Sequence, residues 1–393
     1  WGVVPSSLSP GTRSWNREST LRLLIHAGTE KTGSSFLQTF FRSASDELVE
    51  AGIHFPAEQV QEGGKFGGVS SDGAHLAELV RHRDSVGVVD LLTRYRRRAE
   101  SLGCDSVLIS YSGFWVHLLE IGEQLFVEQA RAAGFQTFVG LMFVRDPVSH
   151  AMSHYFQVVK VGWTQQRFDR WVVDHYQGLD GIADLLATSA VVKWTIRRYD
   201  PTIRPLEGVV FEDWLGLPVG TGRGDGAQVE PGRRVNRSLT AEEALCIVEM
   251  AGDVPGIHEA LAPRFLALDD AHRPQAGPGD SWCRSVANRH ARNLSSAIDA
   301  VNEALPRDER FSLVLGESGE EPTRPIGFNL TDEQHKVVEL GKAAHLAEFG
   351  TRWRRYGPWT RSKKWIYELT PIPVRRFYRW VLRPLRRVRR RLG

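Results

Sequence analysis

The chain is poor in cysteine and contains no long apolar segment, and each shortage excludes a class of protein. Three cysteines among 393 residues are too few and too scattered for a disulfide framework or a cysteine-based zinc site, which favours a reducing compartment. No run of roughly 18 apolar residues occurs, so the sequence predicts no membrane-spanning helix. Hydrophobic residues make up 41% and charged residues 25% of the chain, the composition of a soluble globular protein.

The first 20 residues also lack something, namely the charged start and apolar stretch of a secretion signal. We expect residues 1–20 to form a flexible leader. The expected location is therefore the cytoplasm.

Charge is distributed unevenly. Residues 351–393 contain 15 Lys or Arg and a single acid, Glu368, so this segment carries +14 and the rest of the chain −11, for a net charge of +3. The same tail contains four tryptophans, and this mixture is typical of peripheral attachment to an anionic membrane surface. Nucleic-acid binding, the less favoured reading, and a flexible tail or docking strip against the acidic remainder or another subunit are the alternatives. The oligomeric state is open.

Apolar runs that alternate with helical patterns predict an α/β protein whose parallel sheet is flanked by helices. The predicted strands are 21–27, 106–112, 137–144 and 206–214. Glycine-rich residues 216–234 predict a loop, and helical additions follow, the last of them capped by Asn329 or Thr331. In such a sheet, ligands bind at the carboxyl ends of the strands.

A glycine loop joins the first strand to a helix. Residues 28–33, which begin with Gly28 and end with Gly33, bring backbone N–H groups toward an anion at the start of the following helix. The loop of ATPases requires a lysine directly after its last glycine, whereas here Gly33 is followed by serine and the lysine is Lys31. The position of Lys31 argues against ordinary nucleotide hydrolysis.

A second candidate site follows the 137–144 strand. Arg145 presents a planar fork of donors that suits a phosphate, and Pro147 fits the first turn of a helix. Ser153 follows Arg145 by eight residues. Taken alone, Arg145 has a less favoured alternative interpretation as a partner in a surface ion pair.

Together, these two segments resemble the sulfotransferases that use 3'-phosphoadenosine-5'-phosphosulfate (PAPS). In that family a Lys-Thr-Gly-Ser-Ser-like loop holds the 5'-phosphosulfate, and an Arg-Asp-Pro segment with a serine eight residues after the arginine holds the 3'-phosphate. The resemblance spans roughly residues 21–350 and implies a P-loop-like sulfotransferase fold. It implies transfer of a sulfuryl group from PAPS to a hydroxyl or amine, with 3'-phosphoadenosine-5'-phosphate (PAP) as the product and no metal.

Carried over to this sequence, the resemblance assigns roles to a set of residues. Lys31 is the cation on the leaving group. Residues 210–214 (VFEDW) resemble a strand-end motif of the family, and Phe36 stands where relatives place a tryptophan against adenine, although core packing explains it equally well. The implied cofactor-binding residues are Lys31, Thr32, Gly33, Ser34, Ser35, Phe36, Arg145, Ser153, Arg233 and Arg234.

The catalytic base is the point at which the sequence departs from the family. Many relatives carry a glutamate just after the second strand, but this chain has Ser112 and Gly113 there. His75, which has a side chain suited to proton transfer, and Glu30, beside Lys31, are the replacement candidates. His26 is expected to be structural.

Two other functions stay open at this stage. One is a P-loop kinase or NTPase, and the other is a degenerate protein that only presents its tail to a membrane surface. The acceptor is not specified by the sequence. A carbohydrate or glycolipid at the inner face of the membrane fits the basic tail.

Overall fold

A computed structural model describes most of the region between residues 21 and 355. The described ranges are 21–56, 72–176, 178–200, 205–217, 238–254, 256–269, 277–312 and 329–355. Residues 1–20, both Arg233 and Arg234, and the tail beyond Arg355 lie outside the described residues.

The core of the molecule is a five-stranded, all-parallel sheet with strand order β2-β3-β1-β4-β5. The strands are β1 Arg22–His26, β2 Ile53–His54, β3 Ser106–Ser110, β4 Thr137–Val144 and β5 Lys193–Arg198. The predicted α/β class and three of the four predicted strands are confirmed. Parallel strands are buried on both faces and hence read as continuous apolar runs.

The prediction of a strand at 206–214 is wrong, because this segment is helical. A single turn, Leu206–Gly208, continues into a π-helical stretch, Val209–Leu215. Val209, Val210 and Phe211 are buried against the helix that follows β1, so an apolar run of strand length is used to cover the sheet. The edge strands β2 and β5 were not predicted.

Helices surround the sheet. Among the described residues they are α1 Ser34–Ser43, α2 Ser45–Glu50, α3 Asp72–Arg81, α4 Ser85–Ser101, α5 Phe114–Ile121, α6 Glu123–Ala132, α7 Pro147–Lys160, α8 Phe168–Asp174, α9 Gly178–Thr188, α10 Leu206–Gly208, α11 Ala241–Asp253, α12 His258–Ala267, α13 Pro278–Asn293, α14 Ser295–Ala304 and α15 Asp332–Arg355, together with a short 3-10 turn at Arg307–Glu309.

The two faces of the sheet are covered by different sets of helices. On β1, Leu24 points to a cluster formed with α1, α2 and the π-helical stretch, whereas Leu23 and Ile25 join a larger cluster on the other face. This alternation follows the period of two in a strand. The result is a three-layer arrangement in which β1 lies at the centre.

The helical additions pack together through buried polar contacts. Thr240 and Glu243 form a reciprocal cap at the start of α11, and Gln334 Nε2 donates to Glu243 Oε1 at 2.9 Å. Thr331 caps α15, as predicted, because its hydroxyl accepts from the amide of Gln334 at 3.3 Å. α15 continues past residue 350. None of the helices in the described ranges is long and apolar enough to cross a membrane.

The strand order fixes where a ligand would meet the sheet. After β1 the chain moves toward β2, and after β4 it moves toward β5, so the two connections leave neighbouring strands in opposite directions. In open parallel sheets, this change of direction opens a crevice at the carboxyl ends of the strands. The loops after β1 and β4, which begin at Ala27 and Arg145, therefore flank the crevice.

Candidate functional site

The glycine loop, residues 28–33, is fixed by hydrogen bonds to the end of β4 and to the segment that follows β3. The Gly113 amide donates to the Gly28 carbonyl at 2.8 Å, and the Thr29 amide donates to the Phe143 carbonyl at 3.5 Å. Inside the loop, Thr32 Oγ1 donates to the Thr29 carbonyl at 2.6 Å. These bonds hold the loop in one conformation at the head of the crevice.

The loop includes backbone conformations that are rarely used. Gly33 has φ of 80° and Lys31 has φ of 65°. A side chain at position 33 would also collide with Leu206, so glycine is required there. For a lysine, a left-handed conformation costs on the order of 1–3 kcal/mol, and such strain collects at binding sites.

The start of α1 has the properties of an anion site. The helix begins at Ser34 after Gly33, with no side chain capping its first amides. Ser34 is 5% exposed, and its Oγ has no hydrogen-bond partner among the described residues. A Cβ atom on Gly28 would lie 2.8 Å from this oxygen, so the absence of a side chain at Gly28 leaves room beside the hydroxyl. Ser35 follows in the same turn. Free amides and an unsatisfied buried hydroxyl together fit a bound anion.

Three cations lie near this helix start: Lys31, Arg145 and Lys160. Burial, together with the positive charges of Lys160 and Arg145, lowers the pKa of Lys31 to about 8. Burial also lowers the pKa of Lys160. Lys31 Nζ donates to Gln157 Oε1 at 3.5 Å. Within the described residues, none of the three has a carboxylate at ion-pair distance. We refer to Lys31, Arg145 and Lys160 as the cationic cluster.

Arg145 is oriented by its neighbours toward the glycine loop. Its Nε donates to Ser149 Oγ at 3.1 Å and its Nη1 to the Lys31 carbonyl at 3.4 Å, while its guanidinium lies 5.8 Å from the centre of the Tyr199 ring. Asp146 accepts from the Ser149 amide at 2.9 Å and so caps α7. Arg145 is thus held in place without forming, among the described residues, the surface ion pair that was the alternative explanation for it.

One face of α7 lines the crevice. Ser149, Ser153 and Gln157 follow at intervals of four residues, the spacing that places side chains on one side of a helix. Ser149 contacts Arg145 and Gln157 contacts Lys31, so Ser153 lies one turn from each contact and is half-buried. The arginine is bonded to Ser149 and not to the predicted Ser153. At 1.5 Å per residue, Ser149 and Gln157 are about 12 Å apart along the helix axis.

A neutral histidine joins α7 to the loop. His150 Nε2 lies 2.9 Å from the Glu30 carbonyl, and its Nδ1 lies 2.7 Å from the Tyr176 hydroxyl. Since a carbonyl only accepts, Nε2 carries the proton and Nδ1 accepts from Tyr176. Burial, followed by the nearby charges of His154, Arg145 and Lys31, lowers the pKa of His150 to about 3. The neutral His150 ring thus connects α7 to the backbone of the glycine loop, and we call it the neutral strut.

The two candidate bases lie in different surroundings. Glu30 is half-buried at the crevice, and its Oε1 lies 2.9 Å from the position of a Cβ atom on Gly113. His75 is exposed on α3, whose first turn packs Gly73 against the Ser110 carbonyl at the end of β3. Among the described residues, His75 forms no hydrogen bond or ion pair.

The remaining predicted residues are less closely tied to the crevice. Phe36 stacks on Phe40, with ring centres 6.1 Å apart, and packs against the smaller core cluster. The segment 210–214 does not end a strand, because it is helical, and its Asp213 binds Arg197 at 2.7 Å. His26 is buried, bonds Ser110 Oγ at 2.7 Å and has its pKa lowered to about 4 by burial, which agrees with a structural role. Arg233 and Arg234 lie outside the described residues.

Several residues at the crevice were missed by sequence reasoning. The spacing of four along α7 could have identified Ser149 and Gln157, and Lys160 lies one turn further on. His150 lies on the same helix. Tyr199 could not be found in this way, because it follows β5, a strand that was not predicted.

Comparisons with protein-family models, curated proteins and solved structures give no match. Within the described ranges, no group of three or more His, Cys, Asp or Glu side chains is arranged to hold a metal ion. The arrangement is that of a cation-lined crevice at a helix start, with the Glu30 carboxylate at its edge. Such an arrangement is suited to binding an anionic ligand.

Proposed function

We propose that the protein is a sulfotransferase, which transfers a sulfuryl group from PAPS to a hydroxyl or amine of an acceptor and releases PAP. In this proposal residues 21–350 form a P-loop-like sulfotransferase domain. The proposal rests on the order of residues in the Lys31–Ser35 loop and on the Arg-Asp-Pro segment that begins at Arg145. It rests also on the position of both segments at the same crevice.

The observation that carries the proposal is the cationic cluster, which has no carboxylate at ion-pair distance among the described residues. Cations removed from water are ordinarily paired, because desolvation costs several kcal/mol per ion. Lys31 is instead repelled by Lys160 and by Arg145, which contributes to its low pKa. An anionic ligand would relieve both the desolvation and the repulsion. Ser34 Oγ, buried without a partner among the described residues, supplies a donor for the same ligand.

The contacts along α7 support a ligand with more than one anionic group. Lys31 donates to Gln157 and Arg145 donates to Ser149, two α7 residues separated by about 12 Å along the helix axis. Arg145 also reaches the Lys31 carbonyl, so the two cations lie side by side at the crevice. PAPS has a phosphosulfate on one side of its ribose and a 3'-phosphate on the other.

The chain's own groups would act mainly by position and charge. Lys31 would neutralise the phosphate oxygen from which the sulfuryl group departs, and the amides of Ser34 and Ser35 would bind its other oxygens. Donors aimed at developing charge in a water-poor site contribute the largest share of catalysis in many transfer reactions. PAPS, when bound, supplies the group that is transferred. Arg145, Ser149 and Ser153 would hold the ribose phosphate.

The test is thermal stabilisation by PAP, compared with ADP and with ATP plus magnesium. A ligand present at 100 times its dissociation constant raises the free energy of unfolding by about 2.7 kcal/mol. We expect PAP to raise the melting temperature more than ADP or ATP does, with no requirement for magnesium. A larger shift with magnesium and ATP would overturn the proposal in favour of a kinase or NTPase.

A matched pair of variants locates the effect. Lys31→Ala should remove most of the PAP shift, whereas Lys193→Ala, which deletes an exposed lysine at the opposite end of the sheet, should leave it intact. If PAP produces no shift, or if both variants respond like the unaltered protein, the proposal fails. The molecule would then be a surface-binding protein or an enzyme of another class.

The location and the acceptor belong to the proposal as well. We place the enzyme in the cytoplasm, with residues 351–393 holding it at the inner face of the membrane, where the acceptor is a carbohydrate or glycolipid. The support is the charge of +14 and the four tryptophans of this segment. Vesicles with and without anionic lipid, mixed with the full chain and with a chain ending at residue 355, test the attachment.

A further inference from the structure

Glu30 occupies a position that the sequence does not reveal. Its Oε1 lies 2.9 Å from where a Cβ atom on Gly113 would be, so its carboxylate fills the space of a missing side chain just after β3. Gly113 has φ of 80°, a conformation that disfavours any larger residue. A carboxylate delivered by the loop after β1 thus lies at the carboxyl end of β3.

This carboxylate has no partner among the described residues. Neither a hydrogen bond nor an ion pair involves the Glu30 side chain there, although Lys31 is next to it in the chain. Lys31 donates instead to Gln157, and Arg145 donates to Ser149 and to the Lys31 carbonyl. The backbone of Glu30 is fixed by His150. The carboxylate is therefore held at the crevice, but it has no hydrogen-bond or ion-pair partner within the described part of the chain.

The charge of Glu30 reaches residues on both walls of the crevice. On the β3 side, burial raises the pKa of Tyr111 and the Glu30 charge raises it further. On the α7 side, burial lowers the pKa of His154, and the Glu30 charge opposes that change. Glu30 therefore lies between these walls, beside the loop that carries Lys31.

A free carboxylate at this point is a disadvantage for binding alone. It repels an anionic ligand, and it forms no hydrogen bond or ion pair with the described residues. A residue retained for structure would be expected to pair with one of three nearby cations. A group that accepts a proton in the reaction, however, must be unpaired and accessible.

We propose that Glu30 is the general base, which takes the proton from the acceptor and so replaces the glutamate that Ser112 and Gly113 do not provide. This inference rests on the proposed sulfuryl transfer. In the step, the acceptor oxygen bonds to sulfur as its proton passes to a Glu30 carboxylate oxygen. The bond from sulfur to the 5'-phosphate oxygen breaks, and its electron pair stays on that oxygen beside Lys31.

The experiment uses the full chain with water as the acceptor, because water must also lose a proton. Consumption of PAPS and stabilisation by PAP are measured for the unaltered protein, for Glu30→Gln, and for Glu50→Gln as a matched control at the exposed end of α2. We expect Glu30→Gln to slow PAPS consumption by about 10²-fold or more. PAP should bind this variant at least as tightly, because a repulsive charge has been removed. Glu50→Gln should change neither quantity.

Two rescue measurements separate a base from a structural residue. Formate added to Glu30→Ala should restore part of the lost rate, since it supplies a carboxylate in the vacated space. Ser112→Glu in the Glu30→Gln background should recover about 10-fold or more of the rate, because position 112 brings a carboxylate to the same end of β3.

The outcomes distinguish this inference from the proposed function. If PAP stabilises every variant but Glu30→Gln consumes PAPS within about 3-fold of the unaltered rate, Glu30 is not the base and the binding proposal stands. Loss of that rate in His75→Gln or His154→Gln would then assign the role to the histidine concerned. If Glu30→Gln loses its PAP shift, the residue is structural and the inference is overturned. Absence of any PAP shift in the unaltered protein rejects the proposed function and the inference together.

Discussion

Two arginines, one in β5 and one directly after the neighbouring strand β4, have opposite surroundings. Arg197 lies in β5, opposite Phe143 of β4, and binds Asp213 Oδ2 at 2.7 Å and Glu309 Oε1 at 2.6 Å. Arg145 follows β4 directly and has no carboxylate at ion-pair distance among the described residues. The set Arg197, Asp213 and Glu309 is called the β5 clamp below.

The difference separates a structural charge from one directed at a ligand. The β5 clamp joins the edge strand to the π-helical stretch and to the 3-10 turn at Arg307–Glu309, so folding itself neutralises Arg197. The cationic cluster forms no ion pair within the described part of the fold, and Lys31 and Arg145 donate to neutral oxygens. Folding explains the position of Arg197, whereas for Arg145 we propose a partner in the bound ligand.

The largest expected effect comes from exchanging each arginine for methionine. Arg197→Met should lower the free energy of unfolding by about 1–3 kcal/mol, because the half-buried Glu309 and the more exposed Asp213 lose their common counterion. Its affinity for PAP should stay within about twofold of the original. Arg145→Met should do the reverse, with little loss of stability and an affinity for PAP about 100-fold lower, equivalent to about 2.7 kcal/mol.

Urea unfolding and calorimetric titration with PAP measure these two quantities. Arg170→Met, at an exposed arginine of α8, serves as the control for loss of a surface charge. The comparison breaks down if Arg145→Met destabilises the fold as much as Arg197→Met does while PAP binds normally. Arg145 would then be a structural residue like its neighbour.

A second prediction sharpens the comparison through pH. Lys31 has its pKa lowered to about 8, so it carries its charge below that pH and loses it above. The phosphates of PAP are largely ionised by pH 7. PAP affinity should therefore fall as pH rises through 8, by about 10-fold between pH 7 and pH 9. In Lys31→Arg, which stays charged over this range, the affinity should be nearly constant.

Titration calorimetry at several pH values tests this expectation. Salt concentration must be held constant, because screening alters all three cations of the cluster. An equal fall in the unaltered protein and in Lys31→Arg would show that another group controls binding. Arg145 cannot be the group that causes such a fall, because an arginine keeps its charge over this pH range.

The sequence predicted the crevice better than it predicted the sheet edges. The glycine loop and the start of α7 were found because strand, turn and helix signals follow one another over a few residues. β5 was missed because Lys193, Arg197 and Arg198 interrupt its apolar pattern, and the carboxylates that bind Arg197 come from distant segments. Residues 206–214 were mistaken for a strand, because a short apolar run does not distinguish a strand from a buried helical segment.

Within the site, the sequence identified which residue types are present but not the directions in which their side chains point. It could not indicate that Arg145 bonds Ser149 in preference to Ser153, because that depends on side-chain rotamers around a fixed helix start. Likewise, the meeting of Glu30 with Gly113 depends on two loops from adjacent strands. Contacts of this kind require the register of the sheet, which local patterns do not contain.

The smallest effect concerns His150, the neutral strut behind the cationic cluster. Its pKa is about 3 in the folded protein, against 6.5 for an unperturbed histidine, so between these values the unfolded chain binds a proton that the folded chain does not. The free energy of unfolding must therefore fall as pH drops below 6.5. His150→Gln removes this dependence. Its deficit relative to the unaltered protein should shrink by about 1 kcal/mol between pH 7 and pH 5.5. Urea unfolding of both proteins at each pH tests this expectation. If the deficit of the variant stays constant or grows as the pH falls, the His150 ring accepts a proton in the folded protein. His150 would then belong to the titrating groups of the crevice.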